Sequence, residues 1–174
     1  AYSAVFKCTP VIGNLLVSCF TSFGILIIPY AFQTALHEMR LDAAEIWLHL
    51  VYKLTMLSLF AFVLNFIREL IKDMQDRQQD QSENCISTAV YFGVENTKRI
   101  AFGFYLVLLI LQCLVAYPIK ETVHWIYYCL LMASPSVLIL YFMIAFYREW
   151  PLPLLSKLIK VFMLSGLLFW CLLK

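Results

Sequence analysis

An all-α integral membrane protein with five transmembrane helices is the fold the sequence predicts. Three observations lead there. Hydrophobic residues fill 63% of the 174 positions and charged residues only 14%, far more apolar surface than a soluble domain of this size buries. The apolar residues fall into five segments, most of them near the roughly 20 residues that cross a hydrocarbon core. The aromatic share of 16%, with 10 Tyr and 4 Trp, supplies interfacial belts. Lipid cannot satisfy free backbone groups, so every spanning segment must be helical. We read residues 1–174 as one transmembrane domain, with spans at about 11–32, 46–71, 100–117, 123–147 and 158–173 and a polar loop at 72–99.

The opening K-C-T-P-V-I-G-N, Lys7 to Asn14, sets Pro10 near the start of the first helix. Gly24 and Pro29 within that span are packing or kink positions. Residues 33–45 are amphipathic, with His37, Glu38, Arg40 and Asp42, and are expected along the outer membrane surface. The second span contains Lys53, a charge tolerated where it snorkels to an interface.

That span runs into N-F-I-R-E-L-I-K-D-M-Q-D-R-Q-Q-D, Asn65 to Asp80. Its carboxylates, Glu69, Asp73, Asp76 and Asp80, are spaced by four, three and four residues. Such spacings keep side chains near one helix face, with Asn65 a turn earlier. Acids so close repel one another unless a cation sits among them. Mg²⁺ suits that task, because it takes oxygen ligands, keeps several waters and bridges carboxylate to phosphate. The plain alternative is a solvated helix end whose acids pair with Arg68, Lys72 and Arg77.

Residues after Asp80 lack a long apolar run and complete the largest polar connection. The later spans carry few reactive groups. Gln112 and His124 are single polar residues suited to packing or interface roles, and His37 and His49 are read the same way. Pro135, between Ser134 and Ser136, is expected to kink the fourth helix, the hydroxyls helping to satisfy freed carbonyls. W-P-L-P at 150–153 ends that helix in a tight turn, and Trp170 and Lys174 suit an interface.

The net charge is only +2 and no basic tract occurs, which excludes nucleic acid as a partner class. The six cysteines, at 8, 19, 85, 113, 129 and 171, form no C-x-x-C pair and lie mostly in apolar runs. They are read as small buried hydrophobes, not as disulfides or zinc ligands. Five spans put Lys7, Arg68, Lys72, Arg77, Lys98, Arg99, Arg148, Lys157 and Lys160 on one side and Arg40, Lys53, Lys120 and Lys174 on the other. The excess predicts that the acidic stretch faces the cytoplasm. The first residue is Ala, not Met, and we expect the sequence to be part of a longer chain.

The acidic stretch resembles the second aspartate-rich motif of the UbiA family of membrane prenyltransferases, close to R-E-I-x-K-D-I-E-D-x-x-G-D. Arg68, Glu69, Lys72, Asp73, Asp76 and Asp80 match it; Gln75 replaces an acid and Gln79 a glycine. Lys7, Thr9, Pro10, Gly13 and Asn14 match a family segment leading into the fifth of nine helices. Cys85, Thr88, Gly93, Thr97 and Lys98 match the segment after the third Asp. The nearest subgroup is the geranylgeranylglycerol-phosphate geranylgeranyltransferases.

The resemblance implies half of a nine-helix bundle, helices five to nine. It implies Asp73, Asp76 and Asp80 as Mg²⁺ ligands, Lys72 and Arg68 as contacts to a prenyl diphosphate, and Asn65 and Glu69 as polar support. The family's first motif, N-D-x-x-D, is not in the sequence, which contains no Asn-Asp pair. Three functions follow as expectations. One is an Mg²⁺-dependent prenyltransferase, moving a prenyl group to a lipid or aromatic acceptor once helices one to four are supplied by an N-terminal half or a partner. Another is a non-catalytic UbiA-like subunit of a larger membrane complex. The third, a channel or transporter fragment, lacks the midspan charges it would need apart from Lys53.

Overall fold

The computed structural model describes residues 8–38, 43–117, 119 and 121–172; side chains at 29, 32, 34–38 and 43–46 lie outside that description. The expectations for Lys7, His37, Arg40, Lys120 and Lys174 therefore fall outside the described residues. The elements are α1 (Ile12–Glu38), α2 (Ala43–Ser82), the short α3 (Thr88–Tyr91), α4 (Gly93–Ala116), α5 (Thr122–Tyr128), a π-helical turn (Cys129–Ala133), α6 (Ser134–Ala145) and α7 (Leu152–Leu172). Among the described residues there is no strand.

Four helical stretches are long and apolar enough to cross a membrane: Trp47–Ser82, Gly93–Ala116, Thr122–Ala145 and Leu152–Leu172. Ile12–Ile28 forms a shorter apolar stretch at the start of α1. Helix also covers the five apolar segments read from the sequence, but only four of these stretches have the length and hydropathy to span, and their ends differ from the expected ones by several residues in places.

α2 is the centre of the bundle and packs against α1, α3, α4 and α7. Its apolar residues occupy more than one stripe because neighbours surround it. Ile67, Leu70 and Ile71 are fully buried, and Phe60, Val63, Leu64 and Phe66 nearly so. The Phe66 ring meets Phe104 of α4 at a centroid distance of 4.4 Å. At 40 residues, α2 is about 60 Å long, roughly twice a hydrocarbon core. The surplus length carries its acidic end past the apolar zone.

That length corrects the expected loop at 72–99. Residues 72–82 continue α2 as helix, and α3 and α4 take most of the remainder. The helix stops where Asn84 adopts a left-handed φ of 54°. Asn84 N–H then donates to the Gln81 carbonyl and Cys85 N–H to the Asp80 carbonyl. This is the Schellman arrangement, with Asn in the place glycine usually takes. Gly93 turns the chain from α3 into α4 at φ 77°, a conformation that a residue with a Cβ rarely adopts.

Pro135 has the expected effect in a specific form: the turn before it widens to a π-helix. Proline removes one backbone donor, so carbonyls in the preceding turn need other partners. Ser134 Oγ donates to the Leu130 carbonyl at 2.7 Å and Ser136 Oγ to the Ala133 carbonyl at 2.9 Å. Gln112 Nε2 of α4 donates to the Met132 carbonyl at 3.1 Å, and Tyr105 Oη to the Ser136 carbonyl. At the same end of the bundle as α3, buried Lys98 donates to the Tyr147 and Arg148 carbonyls at 3.1 and 2.8 Å. It fastens the turn after α6 to α4.

Candidate functional site

α1 and α2 are joined by a polar seam. Small hydroxyl and amide side chains let two helices approach and bond within an apolar setting. Asn14 Nδ2 donates to Asp73 Oδ2 at 2.8 Å, Asn65 Nδ2 to Thr21 Oγ1 at 2.7 Å, and Ser58 Oγ to the Ser22 carbonyl at 3.0 Å. As the α1 number rises the α2 number falls, so the helices are antiparallel.

The seam ends at a cluster around Asp73. Thr88 N–H also donates to Asp73 Oδ2, at 3.2 Å. Thr88 Oγ1 accepts from Asn14 Nδ2 and from Val11 N–H, both at 3.0 Å. Three segments therefore meet on one carboxylate: the start of α1, the acidic end of α2 and the start of α3. Asn14 and Thr88 are buried, while Asp73 is half-buried. Val11 sits at φ 64°, a conformation that costs a β-branched residue about 1–3 kcal/mol and persists only where the surroundings impose it.

Part of that imposition is covalent. Cys8 and Cys85 form a disulfide across 77 residues, joining the segment before α1 to the segment before α3. This corrects the reading of all six cysteines as unpaired hydrophobes; Cys19, Cys113, Cys129 and Cys171 are free. The physical reason is tertiary: the fold brings together two segments that no local spacing relates. Closing a loop of this length restricts the unfolded chain by roughly 4–5 kcal/mol. A Cys85→Ser variant, or the native protein in excess reductant, is expected to lose about that much stability, read as a lower thermal unfolding midpoint. An unchanged midpoint would show that the noncovalent contacts suffice.

The other predicted site residues have unequal surroundings. Arg68 pairs with Glu69 at 2.7 Å, so these two neutralise each other. Lys72 is exposed and Asp76 half-buried. Asp80 is 1% exposed. Asn65 is buried and held by Thr21. Among the described residues no group of three or more His, Cys, Asp or Glu side chains is arranged as a metal cage. Mg²⁺ does not require one, because it is commonly held by one or two carboxylates together with water and substrate phosphate. Asp73, oriented by donors to a single oxygen, and the half-buried Asp76 one turn on fit that mode.

Further along the seam lies a cavity of about 180 Å³, lined almost wholly by apolar side chains. α2 contributes Leu57, Phe60 and Leu64, and α7 contributes Phe162, Gly166 and Trp170. Met132, carried by the π turn, forms part of the wall, as does Thr21 of α1. Asn14 and Thr21 are seven residues apart, which places the cavity roughly 10 Å along the helix from the Asp73 cluster. Sequence reading flagged Asp73 but missed Ser18, Thr21, Ser22 and Ser58. Hydroxyls every three or four residues on a helix within an apolar run are the signal that would have found them.

The UbiA prenyltransferase family model matches residues 1–171. The chain belongs to the UbiA prenyltransferase family. UbiA-family membership accounts for the membrane-embedded, all-helical bundle. Similar relatives are three proteins named digeranylgeranylglyceryl phosphate synthase. The one from Methanopyrus kandleri is 29% identical over 96% of this chain and 55% of its own length. Those from Methanobrevibacter smithii and Thermococcus sibiricus are 27% and 25% identical, over 64% and 79% of this chain and 34% and 42% of their own. The chain thus spans about half or less of the curated UbiA relatives it matches. No solved structure matches it.

Proposed function

We propose that this chain carries the diphosphate end and part of the tail cavity of an Mg²⁺-dependent intramembrane prenyltransferase. The reaction moves a prenyl group from a prenyl diphosphate to a lipid acceptor. The observation that carries this reading is the oriented Asp73 carboxylate at the foot of a seam leading to an apolar cavity. A prenyl diphosphate has matching parts, a charged head and a hydrocarbon tail.

Asp73 and Asp76 would hold the metal. Bound there, Mg²⁺ supplies charge neutralisation at the diphosphate. Asn14 and Thr88 fix the Asp73 carboxylate. Exposed Lys72 offers its ammonium to phosphate oxygens. Asp80, buried at the helix end beside Asp73, is the third candidate ligand. Arg68 is paired with Glu69 and orders that turn. The cavity takes apolar chain and keeps water from it. The remaining walls, including a counterpart acidic motif, would come from an N-terminal half or a partner.

The relatives' names point to a glyceryl phosphate lipid as the acceptor class and geranylgeranyl as the transferred group. The excess of basic residues on the same side supports a cytoplasmic position for the acidic end. With that end in the cytoplasm, the Cys8–Cys85 disulfide there requires an interior that preserves disulfides, as in hyperthermophiles.

The test is transfer of labelled prenyl from geranylgeranyl diphosphate to a prenylglyceryl phosphate by the purified protein in lipid nanodiscs, with and without a chelator. Chelator-sensitive product formation is expected. No product with any prenyl diphosphate, in the presence of Mg²⁺ and of every subunit that copurifies, would sink the reading. The protein would then be a structural member of its family.

A further inference from the structure

Three candidates stand out beyond the acids themselves: the free cysteines, the buried Gln112–Tyr128 pair and the donors around Asp73. Cys113, Cys129 and Cys171 are exposed on the outside of the bundle, the first two near Tyr128, and none belongs to a metal-binding cluster among the described residues. Tyr128 Oη donates to the Gln112 carbonyl at 3.2 Å, which completes the bonding around the π turn and leaves nothing for a ligand. The donors around Asp73 go further.

We infer that Asn14 and Thr88 are positioning residues for divalent-cation binding at Asp73, acting as one unit assembled from the starts of α1 and α3. This rests on the metal reading of the proposed function. A free aspartate on an exposed helix end rotates among several rotamers. Here Asn14 Nδ2 and Thr88 N–H both donate to Asp73 Oδ2, so the carboxylate has one orientation. Thr88 Oγ1 accepts from the Asn14 amide, and the same hydroxyl faces Asp73 directly, so it holds the carboxylate both itself and through Asn14. Val11 N–H is the second donor to that hydroxyl, from a left-handed backbone. The Cys8–Cys85 bond ties the two segments that carry these donors. Ligating carboxylates are commonly fixed by such hydrogen bonds, and losing one partner weakens metal binding about 10–100-fold.

The experiment is Mn²⁺ binding, as a spectroscopic substitute for Mg²⁺, followed by electron paramagnetic resonance on the full protein in nanodiscs. The variants are Asn14→Leu, Thr88→Val, Thr88→Ser and Asp73→Ala, each checked for its thermal midpoint. Asn14→Leu and Thr88→Val are expected to bind Mn²⁺ roughly 10–100-fold more weakly. Thr88→Ser restores the hydroxyl and is expected to bind like the native protein. Thr88→Val keeps size and shape, so the Val and Ser pair decides the matter if Asn14→Leu fails to fold. If Asp73→Ala alone loses Mn²⁺ while Asn14→Leu and Thr88→Val retain native affinity, the positioning role is overturned and the metal reading stands. If the native protein binds no Mn²⁺, the metal reading falls and this inference with it.

Discussion

Asp73→Ala is expected to lower prenyl transfer by at least about a hundredfold while the bundle stays folded. The lower bound comes from outer partners: removing a group that only orients a ligand costs 10–100-fold, and removing the ligand costs more. The substitution leaves the Asn14 and Thr88 donors without their acceptor, at a cost of roughly 1–3 kcal/mol, but the core of α2 lies earlier, at Ile67, Leu70 and Ile71, and keeps the bundle folded. Glu69→Gln is the contrasting variant. Its carboxylate is engaged by Arg68 at 2.7 Å, and a glutamine oxygen still accepts that bond, so transfer is expected to stay within about fivefold, the equivalent of roughly 1 kcal/mol. Steady-state transfer of labelled prenyl by the two variants measures this. Equal losses would mean that the acids act as one charged patch. Equal retention would remove Asp73 from the chemistry.

The unequal roles of these acids were only partly legible in the sequence. Spacings of four, three and four show that Glu69, Asp73, Asp76 and Asp80 share a helix face, and an apolar run before them shows where that helix lies. Which acid is oriented depends on Asn14 and Thr88, which lie 59 and 15 positions from Asp73. Periodicity reports on one element at a time and is silent on contacts between elements.

The same limit hid the disulfide, whose partners are 77 positions apart with no patterned spacing. It also turned the end of α2 into a loop in the sequence reading. Residues 72–82 have few apolar side chains, so only the spacing of Asp73, Asp76 and Asp80 marks them as helix. Met74 and Asp80 are nevertheless buried, and the helix holds until Asn84 turns it. Pro135 was legible as a perturbation. Its form was not, because a π turn needs outside donors, and Gln112 is on another helix.

The cavity has no sequence signature at all, yet it carries the second large prediction. Gly166→Leu is expected to change which prenyl diphosphates are used. A Cβ built at Gly166 meets only Met132 Sδ, at 3.7 Å, an ordinary contact, so alanine fits and a longer side chain extends along the cavity wall. The cavity holds about 180 Å³, little more than the roughly 150 Å³ apolar void that accepts a benzene ring. A leucine side chain therefore removes a large share of it. If the far end of the prenyl tail occupies this space, the longest donor loses burial for about one isoprene unit. At about 0.8 kcal/mol per buried methylene that is roughly 3–4 kcal/mol, or 10²–10³ in kcat/KM. A donor short enough to stop before Met132 keeps its rate. Gly166→Ala separates shape from helix effects, since alanine favours the helix by about 1 kcal/mol and leaves most of the space open. The measurement is kcat/KM for a series of prenyl diphosphates of increasing length with both variants. A loss for Gly166→Leu that is the same at every length would place the tail elsewhere, because a filled cavity penalises only the chains that reach it.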